Sequence, residues 1–124
     1  MVSGESEKYP GYALEENLKK ALTELIMLFL LSERDCYIGE LTVAINERSN
    51  GALSIVFPYS AIYRLLQSGY IVEIEKRNAP DGRRRQYYRI TEDGLVHLKQ
   101  LLSTYHCFFE NVNNILNREE DQHV

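Results

Sequence analysis

The chain has 124 residues, which suits one domain with a helical extension, and its 44% hydrophobic content is normal for a folded globule. A formal net charge of −4 excludes a globally basic protein that coats nucleic acid. Residues 1–8 are polar and acidic, which predicts no signal peptide. The longest apolar run, residues 25–31, is far shorter than the roughly 20 residues that span a bilayer. We expect a cytoplasmic protein that does not bind membranes.

The cysteines and histidines fit no short metal-ligand spacing. We therefore expect two reduced thiols and neither a metal nor another cofactor. The residues concerned are Cys36, Cys107, His97, His106 and His123. The chain also lacks a nucleophile elbow, a glycine-rich phosphate loop and a buried carboxylate cluster, so we predict that it is not an enzyme.

Three helices are predicted in the first half of the chain. Apolar residues at helical spacing predict the first over residues 13–31, and its second half is apolar nearly all round. The second covers residues 38–48 and ends at Ser49-Asn50-Gly51. Residues 53–57 form a short apolar connection. Pro58 then opens the third helix, where its missing N–H does no harm.

A basic β-hairpin is predicted next, with strands over residues 70–77 and 83–90 around the turn Pro80-Asp81-Gly82. Residues 76–89 hold six of the 14 lysines and arginines. Residues 64–90 carry seven basic and three acidic side chains, so this region has a charge of +4 and the remainder −8. Such a concentration predicts contact with a polyanion at one place on the protein.

Alternation along the second strand of the hairpin predicts which side chains are buried. Tyr88 and Ile90 are predicted to face the core and to pair with Val72 and Ile74. The other face is predicted to be exposed to solvent and almost entirely cationic. It carries Arg83, Arg85, Tyr87 and Arg89.

The last helix is predicted from Thr91, a good N-cap, to about Asn117. Its apolar residues are spaced alternately by three and four, which is typical of a helix that pairs with another helix. These predicted dimer-interface residues are Leu95, Leu98, Leu102, Tyr105, Phe109, Val112 and Leu116. The alternative is a helix packed wholly within its own domain. Tyr105, Phe108 and Phe109 are more typical of a core, but they form a candidate pocket for a flat aromatic effector if two such helices cross.

Three helices, a two-stranded hairpin and a long helix give the order of a winged helix-turn-helix, a mainly α fold of the α+β class. We expect a flexible arm over residues 1–12, the winged domain over 13–91, a dimerisation helix over 92–117 and a polar tail over 118–124. In this fold the third helix enters the major groove of double-stranded DNA while the hairpin, or wing, lies beside it.

Outward positions of the third helix and basic positions of the wing are the candidate DNA-binding residues. Arginine and glutamine suit guanine and adenine edges, whereas the wing cations suit phosphates. The candidates are Tyr59, Ser60, Tyr63, Arg64, Gln67, Lys76, Arg77, Arg83, Arg84 and Arg85. Two ordinary alternatives are a solvated helix face and an edge strand protected from aggregation by its charge.

Two features of the sequence are more specific than a generic winged helix. They are Tyr63 in the third helix and the block Tyr87-Tyr88-Arg89-Ile90-Thr91, which is followed by Glu92-Asp93-Gly94. With these features, residues 20–117 resemble the PadR family of bacterial transcriptional regulators. Family members commonly carry a Gly-Tyr pair at the start of the second helix, where this chain has Tyr37-Ile38-Gly39-Glu40. Some members hold drugs against a tryptophan in the last helix, and this chain has no tryptophan.

The resemblance implies a homodimeric repressor that binds a palindromic operator, with the last helix as the dimerisation element. It also implies release by a small aromatic effector. Overall acidity and the altered second helix leave a second hypothesis, a winged-helix module that binds proteins and has lost operator binding.

Overall fold

A computed structural model describes residues 9–55 and 58–117. Within them, four helices and one antiparallel sheet follow the predicted order, and the predicted boundaries differ from the observed ones by at most two residues. The elements are α1 (Tyr12–Glu33), α2 (Ile38–Arg48), α3 (Pro58–Gln67), β1 (Ile71–Asn78), β2 (Arg84–Ile90) and α4 (Glu92–Leu116). Most of the predicted arm, part of the 53–57 connection and the predicted tail lie outside the described residues.

The second half of α1 is the centre of the core. Met27 and Leu28 are fully buried, which explains why this half of the helix is apolar on nearly every side. Around them pack Leu41 of α2, Leu65 of α3 and Ile71 of β1, each almost completely buried. Because burying a side chain of this size contributes about 1.5–3 kcal/mol, this small cluster holds α3 and the hairpin in fixed positions.

The start of α4 is fixed to the base of the hairpin. The hydroxyl of Thr91 accepts a hydrogen bond from the backbone N–H of Gly94 at 3.0 Å, so the predicted N-cap is confirmed. A Cβ atom at position 94 would lie 2.1 Å from the carbonyl oxygen of Tyr70, and only glycine permits this approach. One turn further on, the His97 ring stacks on the Tyr70 ring with centroids 4.0 Å apart.

The second half of α4 extends beyond the core. The helix has 25 residues and is therefore about 37 Å long. Leu98 is buried in the core of its own chain, which leaves little of its surface for a partner. Further along, Phe108, Ile115 and Leu116 are each at least 60% exposed. Apolar surface therefore continues along α4 where its own domain no longer covers it.

The hairpin contains a β-bulge that changes the predicted pairing. Tyr88 pairs with Glu73 and Gln86 with Lys76, so one extra residue of β1 lies opposite Tyr87. The prediction that Ile90 pairs with Val72 or Ile74 is wrong, because Ile90 pairs with Ile71. The side-chain amide of Gln86 donates a hydrogen bond to the carbonyl oxygen of Ile74, which satisfies an acceptor that the bulge removes from the ladder.

The α1–α2 connection lies along the free edge of β2. The backbone groups of Cys36 and Tyr88 exchange two hydrogen bonds, at 2.8 and 3.2 Å. In this antiparallel register Tyr37 lies beside Tyr87, and Tyr87 is only 7% exposed. The prediction that this face of the hairpin is solvent-exposed is therefore wrong at Tyr87, because a third extended segment covers it. Tyr88 is buried as predicted.

Candidate nucleic-acid interface

The outward face of α3 carries two exposed tyrosines. Pro58, Ala61, Ile62 and Leu65 are buried, so the remaining positions of the helix face away from the core. Tyr59 is 70% exposed and Tyr63 62% exposed. Two exposed rings on one helix face form an apolar patch that is available to a partner surface. Ser60 and Gln67 are exposed on the same side of the helix.

One side of α3 faces the wing across a groove. Tyr59 and Pro58 line it together with Arg85 and Gln86 of β2, and the N-terminal turn of α2 closes it. The groove has a volume of about 540 Å³. The start of α3, the start of α2 and the wing therefore form one continuous surface.

The opposite side of α3 faces α1 across a second groove. Ser60 and Arg64 line it from α3, and Lys20 and Thr23 line it from α1. The Nε atom of Arg64 donates to a carboxylate oxygen of Glu24, so this predicted DNA-binding side chain is directed toward α1.

The tip of the wing is a tight three-residue loop. The backbone N–H of Gly82 donates to the carbonyl oxygen of Ala79 at 2.9 Å. The N–H of Ala79 in turn donates to the carbonyl oxygen of Arg83 at 2.8 Å. Gly82 adopts φ 83°, a left-handed conformation that favours glycine. A carboxylate oxygen of Asp81 accepts from the backbone N–H of Arg83 at 3.0 Å. This loop holds the adjacent arginines at a defined end of the hairpin.

Half of the basic side chains of the wing are held by carboxylates. Arg77 forms ion pairs with Glu75 at 2.9 Å and with Asp35 at 3.4 Å. Arg85 forms one with Asp81 at 2.5 Å. Among the described residues, no ion pair involves Lys76, Arg83 or Arg84, all of which are exposed. These three side chains are the cations of the wing that remain open to an external anion.

Asp35 is the carboxylate that joins the α1–α2 connection to the wing. Its two oxygens accept from Nε and Nη2 of Arg89 at 3.0 and 2.8 Å, in the paired geometry that arginine and carboxylate favour. The hydrogen bonds from Arg89, assisted by the charges of Arg89 and Arg77, hold the pKa of Asp35 below its ordinary value. Asp35 is therefore ionised at neutral pH and holds two arginines of the wing.

Two tyrosines continue this connection toward the tip of the wing. The Tyr37 and Tyr87 rings meet edge to face, with centroids 5.5 Å apart. The guanidinium of Arg77 lies over the Tyr87 ring at 4.7 Å, and that of Arg85 lies over the Tyr37 ring at 5.5 Å. Such contacts are worth about 0.5–1 kcal/mol each at exposed sites. Arg77 and Arg85 therefore help to shape the wing in the free protein.

The predicted effector aromatics line a groove between α1 and α4. Tyr105 and Phe109 have ring centroids 4.9 Å apart, and Phe108 meets Phe109 edge to face at 5.6 Å. Leu22, Leu25 and Leu101 contribute aliphatic lining, and the volume is about 430 Å³. The rings are not sealed in the core, since Phe108 is 60% exposed.

Sequence reasoning missed Glu24, Asp35 and Tyr37 as parts of this surface. Each acts on a residue that is distant along the chain, and neither helical nor strand periodicity indicates such a partner. A single acidic residue on α1 or in a connection does not indicate by itself which basic residue it pairs with. The predicted basic residues were recognisable because they are consecutive.

Other kinds of site find no support in the part of the chain that the structure describes. No group of three histidine, cysteine, aspartate or glutamate side chains is placed to hold a metal ion there. None of the helices described is both long and apolar enough to cross a bilayer. Burial raises the pKa of the Cys36 thiol to about 11, which keeps this thiol protonated at neutral pH.

Residues 26–100, more than half of the chain, match the sequence model of the transcriptional regulator PadR-like family. The chain belongs to this family. A PadR-like transcriptional regulator from Bacillus cereus has the same fold, with 25% identity and a TM-score of 0.70 over 83% of this chain and 99% of that one. A transcriptional regulator from Clostridium thermocellum gives 29% identity and a TM-score of 0.71 over 79% and 96% of the two chains.

The chain is also similar in sequence to one further bacterial protein. An uncharacterized protein of Lysinibacillus sphaericus is 31% identical over 81 residues, which are 64% of this chain and 74% of the relative. The predicted winged helix-turn-helix and the predicted family resemblance are confirmed. As a PadR-like protein, the chain is a DNA-binding transcriptional regulator with a winged-helix fold, in which the hairpin is the wing.

Proposed function

We propose that this PadR-like protein is a homodimeric repressor that binds a palindromic operator in double-stranded DNA. The observation that carries the proposal is the surface formed by the exposed tyrosines of α3 and the unpaired cations of the wing. An acidic protein that concentrates its free cations next to an uncovered helix face has the charge pattern needed to bind DNA at one place.

Recognition is divided between the two elements. Tyr63 and Gln67 face away from the core and read base edges in the major groove, while Tyr59 and Ser60 near the start of α3 contact the backbone. Lys76, Arg83 and Arg84 bind phosphates through the wing. Arg77 and Arg85 stabilise the wing through their ion pairs with carboxylates. Each contacts DNA only when a DNA phosphate replaces its carboxylate partner.

Dimerisation is supported by the uncovered half of α4. Tyr105 and Leu116 are exposed apolar residues of the predicted seam in this half, and Phe109 and Val112 lie between them in the same series. Leu95, near the start of the helix, is also exposed. A second copy of α4 would cover this apolar strip. Two copies related by a two-fold axis present two recognition helices, which accounts for a palindromic operator. A dimer seated on a promoter represses by blocking access to it.

A small aromatic effector would act through the α1–α4 groove. Its volume falls in the range of ordinary ligand pockets, and Tyr105, Phe108 and Phe109 offer aromatic faces for stacking. Because this groove adjoins the proposed dimer seam, a ligand there changes how the two α4 helices cross. Such a change alters the spacing of the two recognition helices and releases the DNA.

Binding to the promoter region of the protein's own gene tests the DNA-binding proposal, with affinity measured by fluorescence anisotropy at several salt concentrations. Arg84→Ala should weaken binding to every sequence, because it removes one phosphate contact from each subunit. The slope of log K against log [salt] should fall by about 0.9 for each lost contact, or about 2 for the dimer.

Lys99→Ala is the matched control, since it removes the same charge from an exposed position on α4. Its salt slope should stay at the wild-type value. Equal salt slopes for the Arg84→Ala variant and the wild type would show that the wing is not part of the DNA interface. Absence of any salt-dependent DNA binding by the wild type would favour the protein-interaction module instead.

A further inference from the structure

Arg64 lies at the edge of the outward face of α3 rather than at its centre. With 100° between successive helical residues, Tyr63 and Gln67 point away from the buried Ala61 and Leu65, whereas Arg64 is turned toward α1. Its side chain therefore has two directions open to it, one along α1 and one toward a bound DNA.

In the free protein Arg64 takes the first direction. Its Nε donates to Glu24, 40 residues earlier in the chain, and no other carboxylate of the described residues forms an ion pair with it. The Arg64 side chain is 55% exposed and the Glu24 side chain 33% exposed. The pair is therefore accessible to water and to a competing anion or base edge. Water does not fully screen the attraction between the two charges.

The contact with DNA is the stronger of the two competing contacts. Breaking an exposed ion pair weakens binding by up to about five-fold, whereas a bidentate contact between arginine and guanine strengthens it by about 5- to 150-fold. DNA can therefore release Arg64 from Glu24, but the affinity falls by the strength of the broken pair.

We propose that Glu24 is a positioning residue that competes with DNA for Arg64 and so limits the affinity of the recognition helix. This inference rests on the proposed DNA-binding function. Glu24 also lines the α1–α4 groove, together with Leu25 of α1 and Phe108 of α4. The Glu24–Arg64 pair thereby connects that groove directly to the recognition helix.

A double-mutant cycle on DNA binding tests this competition. Glu24→Gln keeps the size of the side chain and removes its charge, so Arg64 is freed and binding to the promoter fragment should tighten about two- to five-fold. When Arg64 is already replaced by alanine, Glu24→Gln should change the affinity for DNA only as much as the loss of any other exposed negative charge does. Glu47→Gln supplies that reference, because it removes a carboxylate from an exposed position on α2 that forms no ion pair among the described residues.

The remaining outcomes overturn the inference. Weaker binding by Glu24→Gln would show that the carboxylate presents Arg64 to DNA instead of withholding it. Equal tightening with and without Arg64 would reduce the effect to net charge, and no change would remove the coupling. All three require that the wild type binds DNA, whereas failure of the proposed function itself would appear as absence of wild-type binding.

Discussion

At the scale of single residues, carboxylates decide which arginines are available. Seven basic side chains lie between residues 64 and 90, and four of them form ion pairs in the free protein. The sequence identifies the cations correctly as a group, because consecutive arginines are visible to any reader. It does not separate Arg84 from Arg77, because one of the two ion-pair partners of Arg77, Asp35, lies 42 residues away in the α1–α2 connection.

Asp35 should stabilise the protein in a pH-dependent way. Its pKa is lowered in the folded state by Arg89 and Arg77, so its contribution is present above the ordinary aspartate pKa of about 3.9 and is lost as the pH falls through the folded-state value. Asp35→Asn should therefore lower the free energy of unfolding by about 1 kcal/mol at pH 7. The difference from the wild type should shrink toward zero as the pH falls below the lowered folded-state pKa of Asp35.

Urea denaturation of both proteins at pH 7 and pH 3 measures this difference. Glu47→Gln, which removes a carboxylate without breaking a described ion pair, should change the stability little at either pH. A destabilisation by Asp35→Asn that is the same at both values would assign the effect to packing rather than to charge.

At the scale of secondary-structure elements, the helices follow from the sequence and the hairpin register does not. Apolar periodicity and the N-cap at Thr91 define α4 because both are local signals. The bulge opposite Tyr87 is different, since it depends on which backbone groups Gln86 and Cys36 satisfy. Alternation alone also predicted an exposed Tyr87, because it gives no sign of the α1–α2 connection that covers this side chain.

The groove between α1 and α4 should bind a flat apolar probe. We expect 1-anilinonaphthalene-8-sulfonate to fluoresce more strongly with the wild type than with Phe108→Ala, because that change removes an aromatic wall of the groove. A fluorescence titration with each protein gives the comparison. Val96→Ala is a suitable control, since it trims another exposed apolar side chain of α4 that is not part of the groove lining. Equal loss in both variants would place the probe elsewhere.

At the scale of the whole molecule, α4 is longer than the core of its own domain can cover. The core covers α4 as far as Leu98 and Leu102, while the apolar series continues to Leu116. Heptad spacing predicted this series but not its division into a buried and an uncovered part. That division depends on where α1 lies, and only the assembled fold determines it.

Leu116→Glu should convert the proposed dimer into a monomer. The added charge would lie within an apolar seam, where burying it without a partner costs several kcal/mol. Sedimentation equilibrium should show a dimer for the wild type and a dissociation constant at least 100-fold higher for the variant. Asn114→Glu introduces the same charge on the opposite side of α4 and should leave the mass unchanged. A variant that remains a dimer would place the interface elsewhere.

The unpaired cations at the wing tip also affect how the protein approaches DNA. Residues 64–90 are positive and the rest of the chain is negative, so the molecule is an electric dipole as well as an acidic protein. We expect it to rotate in the field of a DNA duplex before contact, with the wing leading and the acidic body repelled. Encounters should then be oriented over a distance set by the ionic strength, about 8 Å under physiological conditions. If the wing binds DNA as proposed, it should therefore speed association as well as anchor the complex.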